Sequence, residues 1–135
     1  MTKPRNPRIV VIDDDDSVSD AIRMLVELQG WTAISYRSCE AFLAEFSVDD
    51  PPSCIILDLH FPKMNGTQLQ RQLTQSGIRV PTIVLTARPD SPLAASALQA
   101  GAREIITKPV DGDELIRKIT SALDDTAGPM SRQLF

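Results

Sequence analysis

The stretch Arg8-Ile9-Val10-Val11-Ile12-Asp13-Asp14-Asp15-Asp16-Ser17-Val18 decides how the chain is read. Its first half is apolar and β-branched, as a buried strand requires, and its second half is a run of acids that no strand interior tolerates. Beyond the acids, Val18, Ala21, Ile22, Leu25 and Val26 recur at helical spacing until Gly30 supplies a stop. A strand therefore passes into a helix, with carboxylates at the junction.

The same alternation continues to the end of the chain without an internal sequence repeat. A second strand is predicted over Thr32 to Tyr36, followed by a helix capped by Ser38 that turns Phe42, Leu43 and Phe46 inward. Pro51 and Pro52 mark the return. The third strand, Ser53 to Leu57, leads through a loop with Pro62, Asn65 and Gly66 into a helix with Leu69 and Leu73 inward, closed by Gly77. The fourth, Val80 to Leu85, has Pro81 at its start, where a missing N–H matters least, and Leu93, Ala97 and Leu98 mark the helix after it, ended by Gly101. The fifth, Arg103 to Ile106, precedes Lys108-Pro109 and a last helix with Leu115, Ile116, Ile119 and Leu123 on one face.

Regular strand–helix alternation calls for a parallel sheet with helices on both faces and right-handed crossovers. The expected fold is a single α/β domain, a flavodoxin-like (βα)5 doubly wound parallel sheet with strand order 2-1-3-4-5. Residues 1–7 read as an N-terminal lead-in, 8–124 as the domain, and 125–135 as a tail or linker stub.

Bulk composition agrees. A chain of 135 residues, 42% hydrophobic and 24% charged, suits one soluble globular core that needs neither disulfides nor structural metal. The net charge of −4 disfavours direct nucleic-acid binding, which needs clustered Lys and Arg. Lys3, Arg5 and Arg8 sit among prolines and read as a solvated lead-in. Cys39 and Cys54 have neither metal-ligand nor redox-pair spacing, and reduced thiols are expected. No segment has the length and apolarity of a membrane span, and Met1 to Arg8 lacks a signal-type apolar stretch. A cytoplasmic location is the expectation.

In doubly wound sheets ligands bind beyond the carboxyl ends of the strands, beside the first strand. Asp13 and Asp14 follow strand one, Asp58 ends strand three, Thr86 ends strand four, and strand five leads to Lys108. Crowded carboxylates repel unless some are protonated or a cation sits among them, and hard oxygen ligands suit Mg²⁺, with Mn²⁺ as an alternative. Such an ion also neutralises an incoming phosphoryl group, which a bare acidic pocket rejects.

Each residue also has an ordinary reading. Acids at a helix start cap backbone N–H groups, and Asp15 and Asp16 are assigned that role because Val18 opens the helical pattern. Asp58 closes the apolar run Cys54 to Leu57, an awkward place for a charge serving only solubility. Lys108 alone could be a solvated loop lysine and Thr86 a routine strand residue. His60, the only histidine, has no companion ligand set, so a loop residue that tunes access is expected rather than a side-chain metal ligand.

Together, Asp13-Asp14, Asp58 within Leu57-Asp58-Leu59, the Pro62-x-x-x-Gly66 loop, Thr86-Ala87 and Lys108-Pro109 resemble the receiver domains of two-component response regulators. The resemblance covers about Arg8 to Leu123, and Ser38-Cys39-Glu40-Ala41-Phe42-Leu43 with Ala100-Gly101-Ala102 look most like the FixJ/NarL branch. It implies a phosphorylation-dependent switch rather than an enzyme, catalysing only its own phosphoryl transfer and autodephosphorylation. Asp58 would take phosphate from a sensor histidine kinase or histidine phosphotransfer protein. Asp14 would bind Mg²⁺, Asp13 the ion or its waters, with Asp58 and the backbone carbonyl of His60 as further ligands. Lys108 would pair with the phosphoryl oxygens, Thr86 would donate to them, and Ala87 would leave room and offer its N–H. Pro109 would follow a cis peptide that aims Lys108. His60 and Arg88, two residues beyond Asp58 and Thr86, would influence phosphoryl lifetime.

One departure stands out. The family's switch position on strand five is usually aromatic, and here it is Ile105; Val110 stands where Phe is common. The resemblance also implies partner or homodimer contacts through the face of the fourth helix, fifth strand and fifth helix. Three other readings compete: an interaction module that phosphorylation no longer turns on, a haloacid-dehalogenase-like phosphatase, and a flavin binder. The phosphatase would need a second Asp where His60 stands, and the flavin binder would need Gly, Ser or Thr in place of the aspartates after strand one.

Overall fold

The computed structural model describes residues 6–127. Five strands alternate with five helices: β1 (Arg8–Ile12), α1 (Asp16–Leu28), β2 (Thr32–Tyr36), α2 (Cys39–Glu45), β3 (Cys54–Asp58), α3 (Gly66–Gln75), β4 (Thr82–Thr86), α4 (Pro92–Gln99), β5 (Glu104–Thr107) and α5 (Gly112–Ala127). The strands form one parallel sheet in the order β2-β1-β3-β4-β5, as expected.

The strands are apolar on both sides because both sides are covered. Ile9, Val11, Ile56, Ile83, Leu85 and Ile106 face a core closed by Ile22 and Val26 of α1 and Leu115 and Ile119 of α5. Their neighbours Val10, Ile12, Ile55 and Leu57 face Phe42 of α2 and Leu69 and Leu73 of α3. Leu59 and Val84 complete that side against Ala94 and Ala97 of α4. Each fully buried Leu or Ile contributes roughly 1.5–3 kcal/mol, so the sheet is a rigid frame for whatever its edge presents.

Three strand boundaries differ from the sequence expectation. β3 begins after Ser53 and takes in Asp58, β4 runs Thr82–Thr86 rather than from Val80, and β5 runs Glu104–Thr107 rather than from Arg103. Pairing decides this: Asp58 lies opposite Leu85 and Thr86 opposite Thr107, so ladder register carries the polar residues into the strands. Pro81 precedes β4, and its carbonyl accepts from the Ile55 N–H at 2.9 Å.

The helices follow their signals more closely. Ser38 caps α2 and Asn65 caps α3, the latter with a reciprocal bond from Gln68. Gly77 ends α3 at φ +76°, a left-handed conformation that glycine adopts without penalty, and lets the Ile78 N–H reach the Leu73 carbonyl. The helix marked by Leu93, Ala97 and Leu98 is present as α4; its inward face is Ala94 and Ala97, and Leu98 is 48% exposed. α5 continues past Asp124 to Ala127; Lys3, Arg5 and residues 128–135 lie outside the described residues.

Candidate functional site

The carboxyl ends of β1 and β3 put Asp13 and Asp58 side by side, because Ile12 pairs with Leu57 in the ladder. Asp13 is 1% exposed and Asp58 6%, while Asp14, one residue further along the loop, is exposed. One carboxylate oxygen from each of the three lies within 4.8 Å of the others. Lys108, from the loop after β5, extends into this group: its Nζ is 3.0 Å from Asp13 Oδ2 and 3.5 Å from Asp58 Oδ1. Two buried carboxylates thus face one ammonium, and a third, Asp14, completes the acidic cluster.

Charge balance sets the chemistry. Burial, and then the adjacent Asp13 charge, push the Asp58 carboxyl above the usual carboxylate range, against the pull of Lys108 and the Leu59 N–H. Burial alone would lower the Lys108 ammonium, but its hydrogen bond to Asp13 and the charges of Asp58 and Asp13 outweigh this and raise it. Lys108 therefore stays cationic and Asp58 holds its negative charge under stress, which a cation at the cluster would relieve. The all-oxygen donor set, part buried and part open to solvent through Asp14, fits a hard divalent ion such as Mg²⁺.

Local bonds orient the group. The Leu59 N–H donates to Asp58 Oδ1 at 2.9 Å, and the Asp15 N–H donates to Asp13 Oδ1 at 2.9 Å. Asp15 itself caps α1, accepting from the N–H groups of Ser17 and Val18. Asp16 stands in the first turn of α1, at the positive end of the helix dipole as expected, but its carboxylate pairs with Arg37 at 2.8 Å and does not cap an N–H.

Thr86 is 1% exposed at the end of β4, and its hydroxyl accepts from the Arg88 N–H at 3.1 Å. Its backbone carbonyl accepts from the Lys108 N–H at 2.9 Å, which ties the two strand ends together. Ala87, Arg88 and His60 are exposed at the rim. The Lys108-Pro109 bond is cis. Ile105 is half-buried, lies opposite Val84 and packs with the Leu59, Ala94 and Ala97 cluster.

Two supports were not evident in the sequence. A Cβ on Gly66 would stand 2.7 Å from the Asp58 carbonyl oxygen and 2.9 Å from Leu59 Cδ2, so glycine is needed for α3 to approach the site this closely. The loop motif pointed to Gly66 without giving this reason. Glu40 on α2 accepts from the Met64 N–H at 2.9 Å and ties the β3–α3 loop to α2; the acceptor lies far away in sequence and the donor is backbone, so no motif marks the pair.

Residues 9–120 match the response regulator receiver domain. The chain belongs to that family. This receiver domain is 36% identical over 115 residues to the response regulator protein TodT of Pseudomonas putida, a match covering 85% of the chain and 50% of TodT. It is 34% identical over 112 residues to the transcriptional regulatory protein FixJ of Rhizobium meliloti, covering 83% and 54%. The crystal structure of FixJ-N superposes with a TM-score of 0.78 at 30% identity, covering 90% of this chain and 96% of that one. The chain spans about half the length of these curated relatives. As a receiver domain it serves phosphorylation-dependent signalling in two-component systems. No helix among the described residues is long and apolar enough to cross a membrane.

Proposed function

We propose that Asp58 accepts a phosphoryl group from a phosphohistidine on a sensor histidine kinase or histidine phosphotransfer protein, with Mg²⁺, or Mn²⁺ in its place, held at the acidic cluster. The observation that carries this reading is the position of Asp58: a buried carboxylate at the end of β3, flanked by Asp13, Asp14 and the Lys108 ammonium.

An Asp58 carboxylate oxygen attacks phosphorus, forming a P–O bond while the P–N bond breaks and its electron pair stays on the imidazole nitrogen. The Leu59 N–H fixes Oδ1, which directs the nucleophile. Asp13, Asp14, Asp58 and the backbone carbonyl of His60 are the groups that would hold the divalent ion. Bound there, the ion neutralises charge on the phosphoryl oxygens.

Lys108 exchanges its carboxylate partners for phosphoryl oxygens. The Thr86 hydroxyl, now an acceptor for the Arg88 N–H, turns to donate to the same group, with Ala87 leaving room and offering its N–H. Water later removes the phosphoryl group, at a rate that His60 and Arg88 tune from the rim. Ile105 moves with Thr86, so the face of α4, β5 and α5 carries the signal to an output domain, a partner or a second copy of the chain.

Incubation with a radiolabelled small acyl phosphate tests the reading. Label is expected only with Mg²⁺ or Mn²⁺, and none in Asp58→Asn. Label that forms in a chelator, or that persists in Asp58→Asn, would contradict it.

A further inference from the structure

Residues 60–64 join the end of β3 to the cap of α3, and the ion-binding reading above takes one ligand from them, the His60 carbonyl. Both ends of this loop are anchored. The Leu59 N–H donates to Asp58 Oδ1, the Gly66 N–H to the Leu59 carbonyl, and the Asn65 N–H to Gln68 Oε1. Between those anchors a single hydrogen bond reaches residues 60–64 among the described residues, from the Met64 N–H to Glu40 Oε2 at 2.9 Å. Phe61 and Met64 also pack on the cluster around Phe42, Leu69 and Leu73, but apolar contact is non-directional and does not set the heading of a carbonyl.

Glu40 is held in place by its own helix. Ser38 caps α2, so Glu40 stands in the first turn, beside the fully buried Cys39. The Met64 N–H keeps the Glu40 carboxyl below its ordinary range, so the acceptor is charged and the bond is of the stronger, charge-assisted kind. Glu40 shares a cleft with Asp14, Phe61 and Pro62, which puts the tie next to the exposed aspartate of the acidic cluster.

We propose that Glu40 is a positioning residue for the divalent-ion site: by holding Met64 it sets the β3–α3 loop in the conformation that presents the His60 carbonyl to the ion. The inference rests on the ion-binding reading and adds to it a residue that touches neither the ion nor the phosphoryl group. Loss of such an outer partner typically weakens metal binding by about 10- to 100-fold.

Titration of the metal-free, ¹⁵N-labelled chain with Mg²⁺, followed through the amide shifts of Asp13, Asp58 and Leu59, tests it with two variants. Glu40→Ala removes both charge and acceptor, whereas Glu40→Gln removes the charge and keeps an acceptor oxygen. Glu40 is exposed, so both should fold. Glu40→Ala should bind Mg²⁺ about tenfold more weakly, and Glu40→Gln within about threefold of the parent. A role through bulk charge near the ion, or through the dipole of α2, makes the two variants fall together, and that result would overturn the proposal. Amide exchange at Met64, measured without metal, should speed up in Glu40→Ala and keep the parental rate in Glu40→Gln. Unchanged Mg²⁺ affinity or unchanged Met64 exchange in Glu40→Ala refutes the inference and leaves the ion-binding reading intact; a parent chain that takes up no Mg²⁺ removes both.

Discussion

Asp58 is held in a state it does not prefer in isolation. Burial and the Asp13 charge raise its carboxyl above the usual range, so the folded chain binds that proton more tightly than the unfolded one, whose value is about 3.9. The stabilisation from the protonated form is complete below the unfolded value and is lost as pH rises through the folded value. At neutral pH, without divalent ions, ionised Asp58 destabilises the fold. Asp58→Asn should therefore melt higher than the parent chain by roughly 2–8 °C, with the gap narrowing toward pH 4, because Lys108 keeps its 3.0 Å partner in Asp13. Melting curves in chelator from pH 4 to 7.5 check this; a gap independent of pH, or an Asn variant that melts lower, would count against the burial argument. The sequence disclosed this group because acids and a lysine at the ends of apolar strands have few structural uses. It did not disclose Glu40, whose bond goes to backbone, or the steric reason for Gly66.

Among the elements, α4 is the one whose buried face the sequence pattern left unassigned. Leu93, Ala97 and Leu98 share helical spacing, but an eight-residue helix has too few turns for periodicity to separate a buried face from its neighbour. Small side chains at Ala94 and Ala97, both fully buried, let α4 sit close to β4 and β5. Leu93 packs against the same cluster, and two polar ties add to it: Thr67 Oγ1 donates to the Leu93 carbonyl at 3.3 Å and Thr74 Oγ1 lies 3.3 Å from the Ala100 carbonyl. Ala97→Leu should overpack this contact and lower stability by about 1–3 kcal/mol. Leu98→Ala, at the exposed position, should change it by less than about 0.5 kcal/mol. Urea denaturation of the two variants compares them directly; a larger loss for Leu98→Ala would contradict this seating of α4. The strand ends were less legible for a related reason, since pairing register rather than composition takes Asp58 and Thr86 into the ladder.

At the scale of the molecule, the strand order carries the function. Order β2-β1-β3-β4-β5 places β1 and β3 side by side at the centre, so Asp13 and Asp58 become neighbours although far apart in sequence, and Lys108 arrives from the far edge. Alternating apolar runs made that order readable before any coordinates. The account's central claim is that the carboxylates at the carboxyl edge of the sheet form a single phosphoryl-accepting site with Asp58 as the nucleophile. Treating the chain with an acyl phosphate and Mg²⁺, trapping the acyl phosphate product by borohydride reduction and mapping the modified peptide by mass spectrometry tests this most directly. The account predicts modification at Asp58 alone; a modified Asp13 or Asp14, or an unmodified chain, would contradict it.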